Sequence, residues 1–196
     1  MKLVIVFLAL IFIFWAFVLP VKAANLNGDQ NTIVVQKIKT GALLLQAPAD
    51  VVLPEVFVSS EAQTSSTVAS DFLVEDNRGN NPPVGWSATV TMTKLVSSSN
   101  GSEIPFVDPL TGNDNYRLIP QNMVAYKQAS TEGVSLGAAE ELQAAGNGIS
   151  LPKTVMVASP GYGEGRLGCD IKIEITIPAG SHAADDYTST MTFTVS

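Results

Sequence analysis

Residues 72–92 read F-L-V-E-D-N-R-G-N-N-P-P-V-G-W-S-A-T-V-T-M. One strand ends in Phe72 and Val74, and a polar loop follows it (Glu75, Asp76, Asn77, Arg78, Gly79, Asn80, Asn81). Pro82, Pro83 and Gly85 then launch a second strand. In that strand Trp86, Ala88, Val90 and Met92 face one way, and Ser87, Thr89, Thr91 and Thr93 the other. A period of two marks a half-buried antiparallel strand, because successive side chains project to opposite faces of a sheet.

The same period recurs along the chain. Residues 170–177 place Ile171, Ile173, Ile175 and Ile177 on one face, against Lys172, Glu174 and Thr176. Residues 187–195 set Tyr187, Ser189, Met191, Phe193 and Val195 against four threonines, which suit a pleated, solvated face. The P-A-G-S-H-A-A-D-D segment between these two reads as either a hairpin or a connection between sheets. Further strands are expected at 32–35, 41–46, 51–58, 66–75, 123–128 and 154–157. Turn chemistry separates them: Pro48, Pro54, Asn100-Gly101, Thr111-Gly112-Asn113-Asp114, Gly146-Asn147-Gly148, Gly161 to Gly168 and Ala179-Gly180. Only residues 136–145 carry a helical spacing, in Leu136, Ala139, Leu142 and Ala145. The flanking glycines weigh against more than one helical turn there. Many short strands with Gly/Pro turns predict an all-β antiparallel β-sandwich of Ig-like or Greek-key type, with little or no helix outside the N-terminal segment.

That segment is Met1-Lys2, an unbroken apolar run from Leu3 to Leu19, then Pro20-Val21-Lys22-Ala23. A basic start, an apolar run and small residues at the cleavage position describe a signal peptide over residues 1–23. The run is also just long enough to serve as a retained N-terminal anchor. A polar leader over 24–32 and a single domain over 33–196 follow. Loss of residues 1–23 removes Lys2 and Lys22 and no acid, taking the formal charge from −7 to about −9. So acidic an exported chain is a poor nucleic-acid binder, and any membrane contact runs through the N-terminal segment alone. Cys169 is the single cysteine, so no intramolecular disulfide can form and Cys169 reads as a small buried hydrophobe.

A search for chemistry returns little. His182 is the only histidine and reads as a turn residue beside Asp185 and Asp186. G-x-S-x-G, a phosphate loop and a zinc-spaced histidine pair do not occur. G-Y-G-E-G (Gly161 to Gly165) lacks the helix and the Lys-Ser/Thr of a nucleotide loop, so it reads as a connection between strands. Asp108, Asn113, Asp114 and Asn115, like Glu75, Asp76 and Asn77, are oxygen-rich groups of the kind calcium favours, though equally ordinary turn residues. No cofactor is expected beyond that faint trace of a structural calcium ion.

Four segments together are similar to the WxL family, the noncovalent cell-wall-binding surface domains of Gram-positive bacteria. They are T-G-A-L-L-L-Q-A-P-A-D-V-V-L (40–53), the F-L-V-E-D-N-R-G to G-W-S-A-T-V block (72–90), Y-R-L-I-P-Q-N-M-V-A-Y (116–126) and the ending from I-T-I-P-A-G onward (175–196). The first of the two Trp-x-Leu motifs that name the family stands here as Trp86-Ser87-Ala88, and the second as Phe193-Thr194-Val195. The resemblance implies an exported, noncatalytic surface protein that docks on cell-wall polymer, peptidoglycan above all, or on a surface-protein partner. The alternative is a structural subunit of a surface appendage that assembles through strand edges. The candidate binding residues are Asp76, Asn77, Arg78 and Trp86. Trp86 has two readings, a sandwich-core residue or a stacking surface for a sugar ring, and its place in an alternating strand favours the core.

Overall fold

The computed structural model describes residues 41–127, 129–184 and 186–196. The signal-peptide segment, the leader and the strand expected at 32–35 lie outside the described residues. Fourteen strands and no helix make up the described chain. They are β1 (Leu43–Gln46), β2 (Gln63–Asp76), β3 (Trp86–Met92), β4 (Leu95–Ser97), β5 (Glu103–Ile104), β6 (Tyr116–Tyr126) and β7 (Val134–Leu136), followed by β8 (Glu140–Glu141), β9 (Ala144–Gly146), β10 (Ile149–Ser150), β11 (Lys153–Ala158), β12 (Gly165–Ile177), β13 (Tyr187–Thr188) and β14 (Met191–Val195). One sheet has the order β1-β2-β12-β6-β8 and a second β14-β3-β11-β7. β13-β4-β5 and the β9/β10 hairpin complete them, and every pairing is antiparallel. The all-β class expected from the alternation is what is observed, and it is consistent with a β-sandwich.

β12 is the regular spine of the first sheet, and both of its neighbours bulge against it. Cys169 pairs with Phe72 but Ile171 with Ala69, so two residues of β2 (Ser70 and Asp71) oppose one of β12. On the other side Gly168 pairs with Val124 but Asp170 with Gln121, which places the extra residue of β6 at Asn122 and Met123. The bulge residues Asp71 and Asn122 are left-handed, with φ of 67° and 54°. Asp and Asn are among the side chains that tolerate that conformation best. Asn122 Nδ2 also donates to Asp170 Oδ2 at 2.9 Å, tying one bulge to the spine. Each bulge reverses the inside/outside phase, from Ala69 to Phe72 in β2 and from Pro120 to Met123 in β6. The strand expected at 123–128 is therefore only the last part of β6.

The first sheet contributes Phe72, Val74, Leu167, Ile171, Ile173 and Ile175 to the core, and the second Trp86, Ala88, Val90, Met92, Val155 and Met156. Phe72 meets Phe193 from the opposite sheet with ring centroids 5.2 Å apart. Full burial of each such side chain is worth roughly 1.5–3 kcal/mol, so apolar area does the work a disulfide-free domain needs. Cys169 belongs to this core as the sequence suggested, and burial pushes the pKa of its thiol up to about 12, which leaves it protonated.

The strand expected to start at Trp86 and the one expected at 187–195 break opposite each other, into β3 and β4 and into β13 and β14. β14 pairs with β3 in one register and β13 with β4 in a register one residue different. At the break Thr93 Oγ1 accepts from Thr190 N (2.9 Å) and Ser189 Oγ donates to Thr93 O (2.6 Å). The 178–186 segment thus connects different sheets and is not a hairpin.

Two expectations fail for local reasons. Residues 51–58 form no strand. Pro54 has no N–H to give a ladder, and its carbonyl is taken by Ser65 Oγ at 2.8 Å. The segment becomes a strap, pinned by the part-buried Leu53, that leaves Phe57 87% exposed. Residues 136–145 form no helix and hold the last residue of β7, all of β8 and part of β9. There Leu142 buries alone and its N–H reaches Tyr116 O at 2.8 Å, while Gly137 lies against the Thr154 carbonyl too closely for any side chain. Residues 165–168, read as turn, begin β12 instead.

Tyr116, named at first only as the start of a matching segment, proves to be a buried joint. Its hydroxyl accepts from Leu95 N (2.7 Å) and donates to Ile104 O (2.6 Å), and burial holds its pKa well above the ordinary tyrosine value. Tyr116→Phe should cost about 1–3 kcal/mol in urea unfolding, since it orphans a buried donor and a buried acceptor at once. Stability equal to wild type would mean that water replaces the hydroxyl.

Candidate functional site

The corner between the two large sheets is where Asp76 closes β2 and Trp86 opens β3. Asp76 is 3% exposed. Its carboxylate accepts from Arg78 Nε (2.9 Å), Arg78 Nη2 (2.8 Å) and the Arg78 backbone N–H (3.1 Å). The same Nη2 donates to Gly85 O at 2.7 Å, so one guanidinium clamps both ends of the loop. The Arg78 side chain holds the Asp76 carboxyl below its usual pKa in spite of burial, and Asp76 in turn raises Arg78. Asn77 lies outside this clamp. It is exposed, its N–H reaches Ala42 O (3.0 Å), and its Nδ2 donates to Glu75 Oε1 (2.6 Å).

Trp86 is 4% exposed, and its indole N–H donates to Gly163 O at 2.9 Å. Two glycines permit the packing around it: Gly163 makes room for the indole, and Gly85 lets the chain pass the backbone of residues 158–160. Gly85 has φ of 76°, and a Cβ there would lie 2.5 Å from Ala158 O. A Cβ on Gly163 would lie 2.7 Å from the indole nitrogen and 2.3 Å from Ala158 Cβ. The G-Y-G-E-G segment is thus a wrapper around Trp86, and its glycines answer to packing. Gly161 N reaches Pro83 O at 2.7 Å and closes the wrapper over the loop.

Of the four candidate binding residues, Asp76, Arg78 and Trp86 come together, and Asn77 sits on the surface beside them. As a direct ligand contact Trp86 fails, because a ring this enclosed has no face to offer a sugar; its core reading holds. What the corner does present is a firmly tethered loop with Asn77, Asn80, Asn81 and Val84 exposed. The two motif-like segments also meet. Ala88 pairs with Val195, and Ser87 and Ser196 exchange backbone hydrogen bonds of 2.9 and 3.0 Å.

Three of the oxygen-rich groups, Asp108, Glu75 and Asp76, are used internally. Asp108 Oδ1 accepts from Leu110 N (2.9 Å) and Oδ2 from Thr111 Oγ1 (2.7 Å), and these bonds lower its pKa. Glu75 and Asp76 are engaged by Asn77 and Arg78 as above. Among the described residues, no group of three or more His, Cys, Asp and Glu is placed to hold a metal ion. Sequence reasoning missed Asp186 as a connector. Its carboxylate accepts from Ser97 Oγ, Ser98 Oγ and Ser99 N at 2.7, 2.5 and 2.7 Å, which depresses its pKa strongly. The serine run before Asn100-Gly101 was the available signal, but nothing local links it to a residue so distant in the chain.

Comparison with protein-family models, with curated proteins and with solved structures finds no match to this chain.

Proposed function

We propose that this chain is an exported, noncatalytic surface protein that associates noncovalently with the cell wall, through peptidoglycan or a surface-protein partner. The observation that carries the reading is the locked corner. A part-buried Asp76–Arg78 clamp and a wrapped Trp86 hold an exposed, amide-rich loop between two sheets. A loop already ordered gives up little entropy on binding, which is how a scaffold without catalytic chemistry gains affinity. The four-segment resemblance to WxL domains points the same way.

The test is sedimentation of the mature protein with purified peptidoglycan, with wall-stripped cells as control. The protein should pellet with the wall material, and replacing Asn77, Asn80 and Asn81 by alanine should weaken pelleting. Wild-type protein that stays in the supernatant would sink the reading. A structural-subunit role is favoured by a different observation, the 51–58 strap with Val52 and Phe57 more than four-fifths exposed. Concentration-dependent assembly without wall material would support it.

A further inference from the structure

The outward face of the first sheet carries two cross-strand rows beside the corner. Phe72, Val74, Leu167, Met123 and Ala125 point into the core, so Leu73, Glu75, Arg166, Gly168, Val124 and Tyr126 stand on the other face. Register sets them in line: Leu44, Glu75, Arg166 and Tyr126 form one row, and Gln46, Leu73, Gly168 and Val124 the next. Gly168 leaves a gap in its row, and the Tyr126 ring and Leu73 close over it. A Cβ there would lie 3.1 Å from Tyr126 Cε2 and 2.5 Å from Leu73 Cδ2. Arg166 Cζ lies 5.5 Å from the Tyr126 ring centroid. A shallow trough lined by Leu44, Gln46, Leu73, Glu75 and Arg166 runs alongside. Leu44 in the trough is 54% exposed, and Tyr126, on the far side of Arg166 in its row, is 38% exposed.

Charge identifies the occupant. The described residues include seven Lys and Arg, and five of them (Arg78, Lys94, Arg117, Lys153 and Lys172) are in ion pairs. Arg166 and Lys127 are the two that form none among the described residues, and Lys127 directly follows Tyr126. In an acidic protein that pairs five of its seven described cations, a guanidinium that forms no ion pair among the described residues and lies against an exposed aromatic ring suits an anion attached to a ring with an apolar face. Glu75, the acid of the same row, is engaged by Asn77 Nδ2.

We propose that this face binds an anionic saccharide chain, with Arg166 taking its carboxylate or phosphate and Tyr126 stacking on an adjacent sugar ring. The inference rests on the wall-association reading and deepens it, moving the main contact from the loop to the neighbouring sheet face. A carboxylate-bearing wall glycan and a phosphate-bearing wall polymer share this chemistry.

The experiment uses the mature chain and its Arg166→Gln, Arg166→Lys and Tyr126→Ser variants. Thermal melts establish that each variant is folded. Probes are purified walls, walls stripped of phosphate polymers by acid, soluble polygalacturonate, and neutral dextran. Arg166→Gln should weaken binding to the anionic probes about tenfold or more, as loss of a charge-assisted contact does. Arg166→Lys should fall between, and about 0.5 M salt should weaken wild type. Binding lost on stripping would assign the phosphate source; binding kept there and on polygalacturonate would assign the carboxylate. Equal binding by wild type and folded Arg166→Gln, or equal binding to dextran, would overturn the proposal while leaving wall association intact. Wild type that binds no wall but binds polygalacturonate through Arg166 would keep this proposal and remove the wall reading. Wild type that binds no probe removes both.

Discussion

Trp86→Ala is expected to lower folding stability by about 3–5 kcal/mol, the range for emptying a buried aromatic site. That is a large fraction of the roughly 5–15 kcal/mol available to a typical domain, so the variant should unfold at much lower urea, or fail to accumulate. The loss has two parts. The ring fills a space that Gly163 is kept bare to provide, so that neighbour has no side chain to collapse into the cavity. The indole N–H also satisfies Gly163 O. Trp86→Phe separates them, because it keeps most of the apolar volume and removes the donor; a smaller loss of about 1–2 kcal/mol is expected. Equilibrium urea unfolding of both variants is the measurement. A Trp86→Ala protein as stable as wild type, yet unable to pellet with wall material, would return Trp86 to the ligand-contact reading.

Asp76→Ala should be the second most damaging change, at about 2–3 kcal/mol. Breaking a fully buried pair costs more, about 3–5 kcal/mol, but the Arg78 side chain is 24% exposed and water recovers part of the loss. What remains is an unanchored guanidinium and a loop whose two ends are no longer joined through one side chain. The pair also predicts a pH dependence. Asp76 titrates lower in the folded state than in the unfolded chain, so its stabilisation is complete above the unfolded value of about 3.9 and is lost as pH falls through the lower folded value. Asp108 and Asp186 are depressed too and share this acid limb. The informative quantity is therefore the difference between wild type and Asp76→Asn. The wild-type curve should fall more steeply below about pH 4, and the two should converge in acid. Parallel curves would show that the carboxylate charge is not what the corner uses. Pairing Asp76→Ala with Arg78→Ala in a double-mutant cycle gives the coupling directly.

The legible parts of this chain were those where one strand keeps one phase. β3 and the second half of β12 could be read residue by residue, because every second position is apolar without interruption. Legibility stopped where tertiary pairing inserts a residue. The bulge at Asn122 reverses the phase of β6, so a period-two reading found only its end, whereas β2 was expected at 66–75 across the bulge at Asp71 but without its change of phase. Strands of two or three residues, such as β5 and β8, are too short to show a period at all. In residues 51–58 the composition favoured a strand, but Pro54 and the Ser65 hydroxyl removed the hydrogen bonds that would have made one.

The candidate site divides in the same way. The clustering of Asp76, Arg78 and Trp86 was visible because the three lie within eleven consecutive residues of a turn and the strand it starts. That Gly163 receives the indole proton was not visible, since that partner is placed by the sheets and not by proximity in the chain, and the Arg78–Gly85 contact, though local, depends on how the loop folds back.

By itself the sequence determined an all-β, antiparallel chain with an apolar core and no disulfide, because alternation and a single cysteine leave no other route to burial. Only the tertiary structure decided which residues face solvent as a group. Cross-strand register brings Leu44, Glu75, Arg166 and Tyr126 into one row from four distant segments, and register is a property of paired strands that no single strand contains.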